Sequence, residues 1–481
     1  MPEDPDAGAR RAAAALIRVP GVVSELAERF VGTGQEISLV GGTVRDALMG
    51  RPAEDLDLTT SARPETIAQL LAGWADSVWE TGIEFGTLGA RKGGYTFEIT
   101  TYRSENYDPD SRKPQVQFGD SLVGDLRRRD FTVNAMALRL PQPDLVDPHG
   151  GLRDLVARRL ITPATPEESF SDDPLRMLRA ARFASQLDFD VDESVVAAVV
   201  SMAERLSIVS AERIQQELVK LILGRSPRRG LALLVDTGLA HWVLPELPDL
   251  RLEVDEHHRH KDVYEHTLTV LDQAIALESG PDGSVPGPDF VLRFAALMHD
   301  VGKPRTRKFE PGGGVSFHHH EVVGARMTRK RMQALRFSND HIDDVSKLVE
   351  LHLRFHGYGG GEWTDAAVRR YVRDAGPLLE RLHLLTRADC TTRNRRKAAA
   401  LARSYDSLEE RIAVLAEQEE LAAIRPDLDG NEIMQILGLS PGPEVGEAYR
   451  YLLEQRLDEG PQTPEQATAA LKQWWADRNS N

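Results

Sequence analysis

The chain has 481 residues, 41% of them hydrophobic and 28% charged, with one cysteine, Cys390. That length predicts about three or four domains of ~100–200 residues, and a lone cysteine excludes a disulfide framework and a cysteine-based zinc centre. The formal net charge of −16 argues against non-specific nucleic-acid binding by the whole surface.

In chain order, the short apolar run "AAAALI" is cut off by Arg18 and Pro20, so it does not read as a secretory signal. No apolar run approaches the ~18 residues of a membrane span. A cytoplasmic protein with no membrane partner is expected. From Glu36 to Leu140 the pattern is mixed: "EISLVGG" and "YTFEITTYR" predict strands and "PETIAQLLAGW" a helix. "LVGGTVRDALMG" puts Gly41 and Gly42 straight after a strand, with Arg45 and Asp46 opening a helix. Glycine there permits a close backbone approach to phosphate at a helix N-terminus, although such a pair is often a plain turn. In "EDLDLTT", Asp55 and Asp57 are two apart, so on a strand both carboxylates face the same way. Parallel carboxylates repel unless a cation lies between them, and all-oxygen ligands favour Mg²⁺. Glu98, mid-strand in "TFEITTYR", is either a third carboxylate or a cross-strand partner for Arg103.

"RRDFTVNAM" (Arg128–Met136) and "DPHGGLRDL" (Asp147–Leu155) follow, and after Gly151 strand signals nearly vanish. Helices are predicted in "PLRMLRAARFASQL", "AERIQQELVKLILG", "FVLRFAALMHDVG" and "DDVSKLVELHLRF". Loop signals fall at Glu278–Asp289, Glu310–Val315 and His356–Thr364, and a small helical tail opens near Arg425. Basic runs at Arg127–Arg129, at Arg176, Arg179 and Arg182, at Arg225–Arg229, at Arg326–Arg331 and at Arg393–Lys397 are ordinary solvated faces taken singly. Together they are compatible with a one-sided basic track.

"SDDPLRMLRAARF" holds two readings. Asp173 before Pro174 is a good helix cap, Leu175, Leu178 and Phe183 can form a buried face, and Arg176 can simply pair with Asp173. The same two side chains also form an acceptor beside a donor. Cytosine and adenine each offer an amino donor beside a ring-nitrogen acceptor and satisfy both. Uracil and guanine reverse the pattern and leave polar groups unpaired, a mismatch that enzyme sites reject strongly.

Taken in order, Gly-Gly-x-Val-Arg-Asp, Asp-x-Asp, Arg-Arg-Asp-Phe-Thr-x-Asn-Ala, Asp-Pro-x-x-Gly-x-x-Asp, the acidic pair with Arg176, and Glu212-Arg213-Ile214 resemble the class II family of bacterial CCA-adding tRNA nucleotidyltransferases and poly(A) polymerases. The resemblance spans about residues 36–250. It implies an α+β nucleotidyltransferase head with a polymerase-β-like palm, followed by an all-α neck, an HD body and a helical tail. The expected divisions are 1–160, 161–250, 251–400 and 401–481.

By the same resemblance Asp55 and Asp57 would be catalytic and hold two Mg²⁺ ions, with Glu98 the third catalytic candidate. Gly42 and Arg45 would contact the incoming nucleotide, and Arg129 its triphosphate or ribose. Asp173 and Arg176 would read the base, with nucleotide or phosphate contacts from Arg179 and Arg182. The family's reader is usually Glu-Asp-x-x-Arg, and Asp172 stands here for the Glu. The implied partners are tRNA, CTP and ATP; a poly(A) polymerase on the same head is the alternative. His266, His299, Asp300, His320, His352 and Asp389, spread over successive helices, resemble the HD phosphohydrolase superfamily. That implies one divalent metal among His266, His299, Asp300 and Asp389, with His320 and His352 for a second, and suits Mn²⁺, Ni²⁺, Fe or Mg²⁺. A stand-alone HD phosphohydrolase with a nucleotide- or RNA-binding head is the remaining alternative. His257, His258 and His260 read as surface residues or RNA contacts.

Overall fold

The computed structural model describes residues 6–479 apart from 52, 81–85, 107–114, 120, 253–261, 281, 312–313, 356–362, 393 and 420–423. His257, His258, His260, Arg393 and most of the glycine-rich loop before Thr364 lie outside the described residues. The chain forms two compact units, Met1–Pro245 and Glu246–Asn481.

In the first unit, helices α1 (Ala7–Leu16) and α2 (Gly21–Val31) lead into a seven-stranded sheet. The strands in chain order are β1 (Ile37–Val40), β2 (Asp55–Thr60), β3 (Ser77–Trp79), β4 (Thr87–Lys92), β5 (Tyr95–Thr101), the separate hairpin β6 (Arg103–Asn106) and β7 (Gln115–Phe118), then β8 (Ala137–Leu140) and β9 (Asp144–Val146). The spatial order is β3-β4-β5-β2-β1-β8-β9. Within this sheet, among the described residues, only β2 and β5 run parallel, which sets Asp57 level with Glu98. β1 is buried along its whole length, Ser38 included, because it lies inside the sheet. β2 alternates: Leu56 and Leu58 are buried, while Asp55 is exposed and Asp57 half-buried. Helices α3 (Gly42–Leu48), α4 (Pro64–Leu71), α5 (Leu122–Arg127) and α6 (Gly151–Val156) connect the strands and close this part.

Beyond it come α7 (Pro166–Asp172), α8 (Leu175–Leu187), α9 (Glu193–Met202), α10 (Ala211–Ile222), α11 (Pro227–Asp236) and α12 (Ala240–Val243), with α8 packed on α10 and α11. The expected boundary at 160 falls on the two-residue strand β10 (Arg159–Leu160), which pairs in parallel with β11 (Asp190–Val191) inside the helical part.

The second unit is helical: α13 (Val263–Leu277), α14 (Phe290–Met298), α15 (Lys303–Thr306), α16 (His320–Ala334), α17 (Asn339–Leu351), α18 (Asp365–Ala375), α19 (Leu379–Asp389), α20 (Arg395–Glu419), α21 (Gly430–Leu437), α22 (Pro443–Glu459) and α23 (Pro464–Asn479). A short hairpin, β12 (Lys308–Glu310) with β13 (Gly314–Ser316), interrupts it. α20 runs unbroken across the boundary expected at 400, because Tyr405, Leu408, Ile412 and Leu415 keep a buried stripe along it. The last three helices bury their own cluster of Leu428, Ile433, Ala448, Leu452, Ala467 and Leu471. Among the described residues no helix is long and apolar enough to cross a membrane.

Candidate functional site

The head residues singled out in the sequence all line one recess of about 920 Å³ in the first unit. Its floor is the β2–β5 pair carrying Asp55, Asp57 and Glu98. Burial pushes the Asp57 carboxyl up; Glu98 and Asp55 add to that, while Arg129 and Arg45 oppose it. A carboxylate disfavoured by burial and by two like neighbours is a site for a cation. Arg103 donates to the Thr87 hydroxyl at 2.6 Å.

The β1–α3 turn sets the edge of the recess. Gly41 has φ +68° and ψ −134°, a region reserved for glycine. A Cβ there would lie 3.0 Å from Arg129 Nη1 and 3.6 Å from Asp57 Oδ2. Gly42, named from the resemblance, carries neither constraint: a Cβ would meet Arg45 Nη2 at an ordinary 3.6 Å. Thr43, which the sequence reading passed over, accepts a hydrogen bond from the Asp57 main-chain N–H at 2.9 Å and ties the turn to the carboxylate strand.

Most of the arginines facing the recess are held by a carboxylate the sequence reading did not assign. Arg45 forks onto Asp46 at 2.9 and 2.8 Å and donates to Asn134 at 2.5 Å. Arg129 donates to the fully buried Asp125 at 3.1 Å, which also takes Arg128. Arg179 donates to Asp130 at 2.7 Å, and Arg182 pairs with Glu217 at 3.1 Å. Burial opposes ionisation of Asp130, but Arg179 and the Asn134 amide outweigh it and hold its carboxyl below the usual range. Burial, reinforced by repulsion from Arg179 and opposed by Glu217, pulls Arg182 down to about 10. Burial likewise opposes charge on Arg179, yet Asp130 and Glu217 raise it. Bidentate and buried pairs of this kind fix guanidinium geometry as much as they neutralise it.

The segment expected to be one capped helix start is a junction. Asp172 is the last residue of α7, and α8 opens at Leu175. Asp173 lies between them and accepts the Leu175 N–H at 3.1 Å, but Pro174 is the N-cap of α8, so the expected placing of Asp173 as N-cap and Pro174 as first helical residue is off by one. The Asp173–Arg176 pairing suggested by the spacing is not made among the described residues. Asp173 Oδ2 instead takes Arg213, from the Glu-Arg-Ile segment on α10, at 2.7 Å. Arg176 donates through Nη1 to Ser169 Oγ at 3.0 Å and through Nη2 to the Arg128 carbonyl. Both residues line the recess, each held by a different partner. Leu175, Leu178 and Phe183 are buried as the amphipathic reading required.

In the second unit the six His and Asp residues converge. His266, His299 and Asp389 form one group and Asp300, His320 and His352 another, so Asp300 groups with the second trio rather than the first. It faces both: Asp300 Oδ2 lies 3.2 Å from His299 Nε2 and 3.5 Å from His266 Nε2, and Oδ1 lies 3.2 Å from His320 Nε2. The Nδ1 atoms of His299, His320 and His352 contact the main-chain carbonyls of Ala296, Phe317 and Val349 at 2.8, 2.8 and 2.7 Å. Donation through Nδ1 leaves Nε2 as the lone-pair nitrogen, the arrangement of a metal-ligating imidazole. Two of these buried Nε2 atoms, on His299 and His320, face the Asp300 carboxylate, and that of His352 is buried without a hydrogen-bond partner among the described residues, which fits a bound cation. Burial pulls His352 down to about 3, with help from the neighbouring His299. The start of α15 meets the first turn of α16 closely because Gly302 has no side chain: a Cβ there would lie 2.1 Å from the His320 carbonyl. His318 and His319 of the same run are exposed.

Comparison with known proteins follows the same order along the chain. Residues 37–161 match the poly A polymerase head domain, 188–250 the probable RNA and SrmB-binding site of polymerase A, and 263–394 the HD domain. The chain is 34% identical over 445 residues to the A-adding tRNA nucleotidyltransferase of Deinococcus radiodurans, covering 91% of this chain and 95% of that protein. It is 30% identical over 442 residues to a CCA-adding enzyme of Streptococcus suis, covering 92% and 93%. The Bacillus stearothermophilus CCA-adding enzyme in complex with CTP shares the fold, with a TM-score of 0.69 at 23% identity over 96% of this chain and 100% of that one. The Thermotoga maritima CCA-adding enzyme complexed with tRNA shares it with a TM-score of 0.60 at 18% identity, over 97% and 98%.

Proposed function

The chain belongs to the class II family of CCA-adding tRNA nucleotidyltransferases and poly(A) polymerases, and from that premise we propose that it adds C, C and A to tRNA 3′ ends from CTP and ATP without a nucleic-acid template. The observation that carries this reading is one recess lined both by the Asp55, Asp57 and Glu98 carboxylates and by the Asp173–Arg176 donor–acceptor pair. Transfer and base selection then act on the same bound nucleotide. Asp55 and Asp57, with Glu98 beside them, would hold Mg²⁺, whose charge activates the RNA 3′-hydroxyl and stabilises the leaving pyrophosphate. No protein nucleophile is needed, because positioning and charge neutralisation carry such transfers.

Arg45 and Arg129, fixed by Asp46 and Asp125, are oriented to meet the triphosphate. Asp173 accepts from the exocyclic amino group and Arg176 donates to the ring nitrogen of cytosine or adenine. Arg213 and the Ser169–Arg128 contacts hold those two groups at the required spacing before the base arrives. A second reading, addition of the terminal A alone, is favoured by the full-length likeness to the Deinococcus radiodurans A-adding protein.

The deciding experiment supplies tRNA lacking its last three nucleotides, and tRNA ending in CC, with CTP, ATP or both. Two C followed by one A supports CCA addition. Extension of the CC-ended tRNA only, by A, selects the second reading. Long A-tracts without C select poly(A) synthesis. Arg176→Ala in the same assay should relax exclusion of UTP and GTP.

For the second unit we propose a divalent-metal phosphohydrolase centre, with His266, His299 and Asp389 at one ion and Asp300, His320 and His352 at another. The convergence of the two groups and the buried, unpartnered His352 Nε2 support it.

A further inference from the structure

We propose that Phe183 is a positioning residue for nucleotide recognition, its ring serving as the shared platform that assembles the recess arginines into one cationic wall. Three guanidinium groups lie against this ring: Arg182 at 4.1 Å from the centroid, Arg45 at 5.2 Å and Arg179 at 5.6 Å. They come from separate elements, Arg45 from α3 beside the carboxylate strand and the other two from α8, the helix that carries Arg176. Asp46 pairs with Arg45 and Asp130 with Arg179, while Glu217 pairs with Arg182 and lies 3.8 Å from Arg179. A polar chain runs from Arg45 through Asn134 and Asp130 to Arg179. The ring adds a second link between α3 and α8, and it takes in Arg182 as well.

Like charges gathered this closely repel. An aromatic face attracts each of them within about 6 Å, and an aliphatic side chain of similar bulk offers no such attraction. The ring cannot retreat. Phe183 is 4% exposed, and Phe131, itself fully buried, meets it edge-on at 5.7 Å and 86°. Yet the residue still lines the recess. The ring therefore sets the spacing between the part of the recess beside the catalytic carboxylates and the part that reads the base. Disturbing it should weaken CTP and ATP together and leave the preference between them unaltered, because none of the three arginines belongs to the Asp173–Arg176 pair.

The inference rests on the nucleotide reading of the recess, so the test uses binding rather than turnover. In the full chain, phenylalanine at 183 is replaced by ring-fluorinated phenylalanines of increasing fluorine content. These keep the shape of the side chain while draining its negative face. The Kd for CTP and for ATP is measured by calorimetry with Mg²⁺ present. The same series at Phe30, buried in α2, is the packing control. Both Kd values should rise stepwise with fluorine content at 183, by about tenfold at the fully fluorinated ring, and stay level at Phe30. Phe183→Leu should weaken both nucleotides at least as much. Level Kd values across the 183 series in a chain that binds nucleotide overturn the platform role alone. An unmodified chain that binds neither CTP nor ATP overturns the nucleotide reading and the platform with it.

Discussion

Removing Glu217 isolates a buried charge next to the proposed base reader. Glu217 and Arg182 are both under a tenth exposed, and their side chains pair at 3.1 Å. Even with Glu217 present, burial and the neighbouring Arg179 pull Arg182 below the usual guanidinium value to about 10, a penalty of about 3 kcal/mol on its charged form at 1.36 kcal/mol per unit. Because the folded value lies below the unfolded one, this cost is present in full at neutral pH, where both states are protonated. It lifts only as pH rises through about 10 toward the unfolded value. Glu217→Gln leaves the guanidinium without its counter-charge, and breaking a buried pair from one side costs about 3–5 kcal/mol. For a domain of this size that lowers the unfolding midpoint by roughly 6–20 °C.

The companion variant, Glu217→Leu with Arg182→Met, replaces both partners with apolar groups. It should recover most of that loss, since a buried pair exchanged whole for hydrophobic groups is often neutral or stabilising. Nucleotide affinity should stay weakened in the double variant, because the cationic wall has lost a member. Thermal unfolding followed by near-UV circular dichroism, alongside calorimetry with CTP and ATP, reads both quantities. Wild-type unfolding for Glu217→Gln would falsify the buried-charge argument. Wild-type nucleotide affinity in the double variant would show that the pair serves packing alone.

Three further outcomes are expected. Asp57→Asn should cut nucleotide addition by at least about a thousandfold, or ~4 kcal/mol of barrier, while leaving stability equal or higher. The Asp57 carboxyl is held above 3.8 chiefly by burial, so its ionisation costs stability as pH rises through that raised value. Mg²⁺ should restore stability at neutral pH in the parent but not in the variant, as a thermal shift would register. Gly41→Ala forces a side chain into φ +68° and against Arg129, and should raise KM for both nucleotides about tenfold, while Gly42→Ala changes it by less than about twofold. His352→Ala or His299→Ala should lower the divalent metal retained by the purified chain to below about half, by elemental analysis, with tRNA extension unchanged. Full retention would remove the second metal centre.

Much of the head was legible in the residues because strand and helix periods are local. Two-residue alternation alone puts Asp55 and Asp57 on one face of β2, and Gly-Gly after the strand-like Ile-Ser-Leu-Val run marks the turn that ends β1. Helix α8 was legible as a helix but its burial was not, since Arg176 and Arg182 are buried along with its apolar residues. The junction before it was misjudged because "SDDP" satisfies a helix end and a helix start with the same residues, and only the packing of α7 assigns Asp172 to the earlier helix. The HD residues were each visible, yet their division was not, since Asp300 faces both groups from one buried position.

The sequence by itself determined which chemical groups are present: paired carboxylates, a cluster of arginines, a carboxylate acceptor three residues before a guanidinium donor, and histidines on successive helices. Only the tertiary structure decided which group holds which. The parallel β2–β5 register brings Glu98 level with Asp57. Asp130 reaches Arg179 across 49 residues and Glu217 reaches Arg182 across 35. Arg213 displaces Arg176 as the partner of Asp173 from 40 residues away. The reason is physical: periodicity within an element is set by backbone geometry over a few residues, whereas an ion pair between elements depends on how their buried faces pack, and a guanidinium in a one-dimensional string has many carboxylates from which to choose.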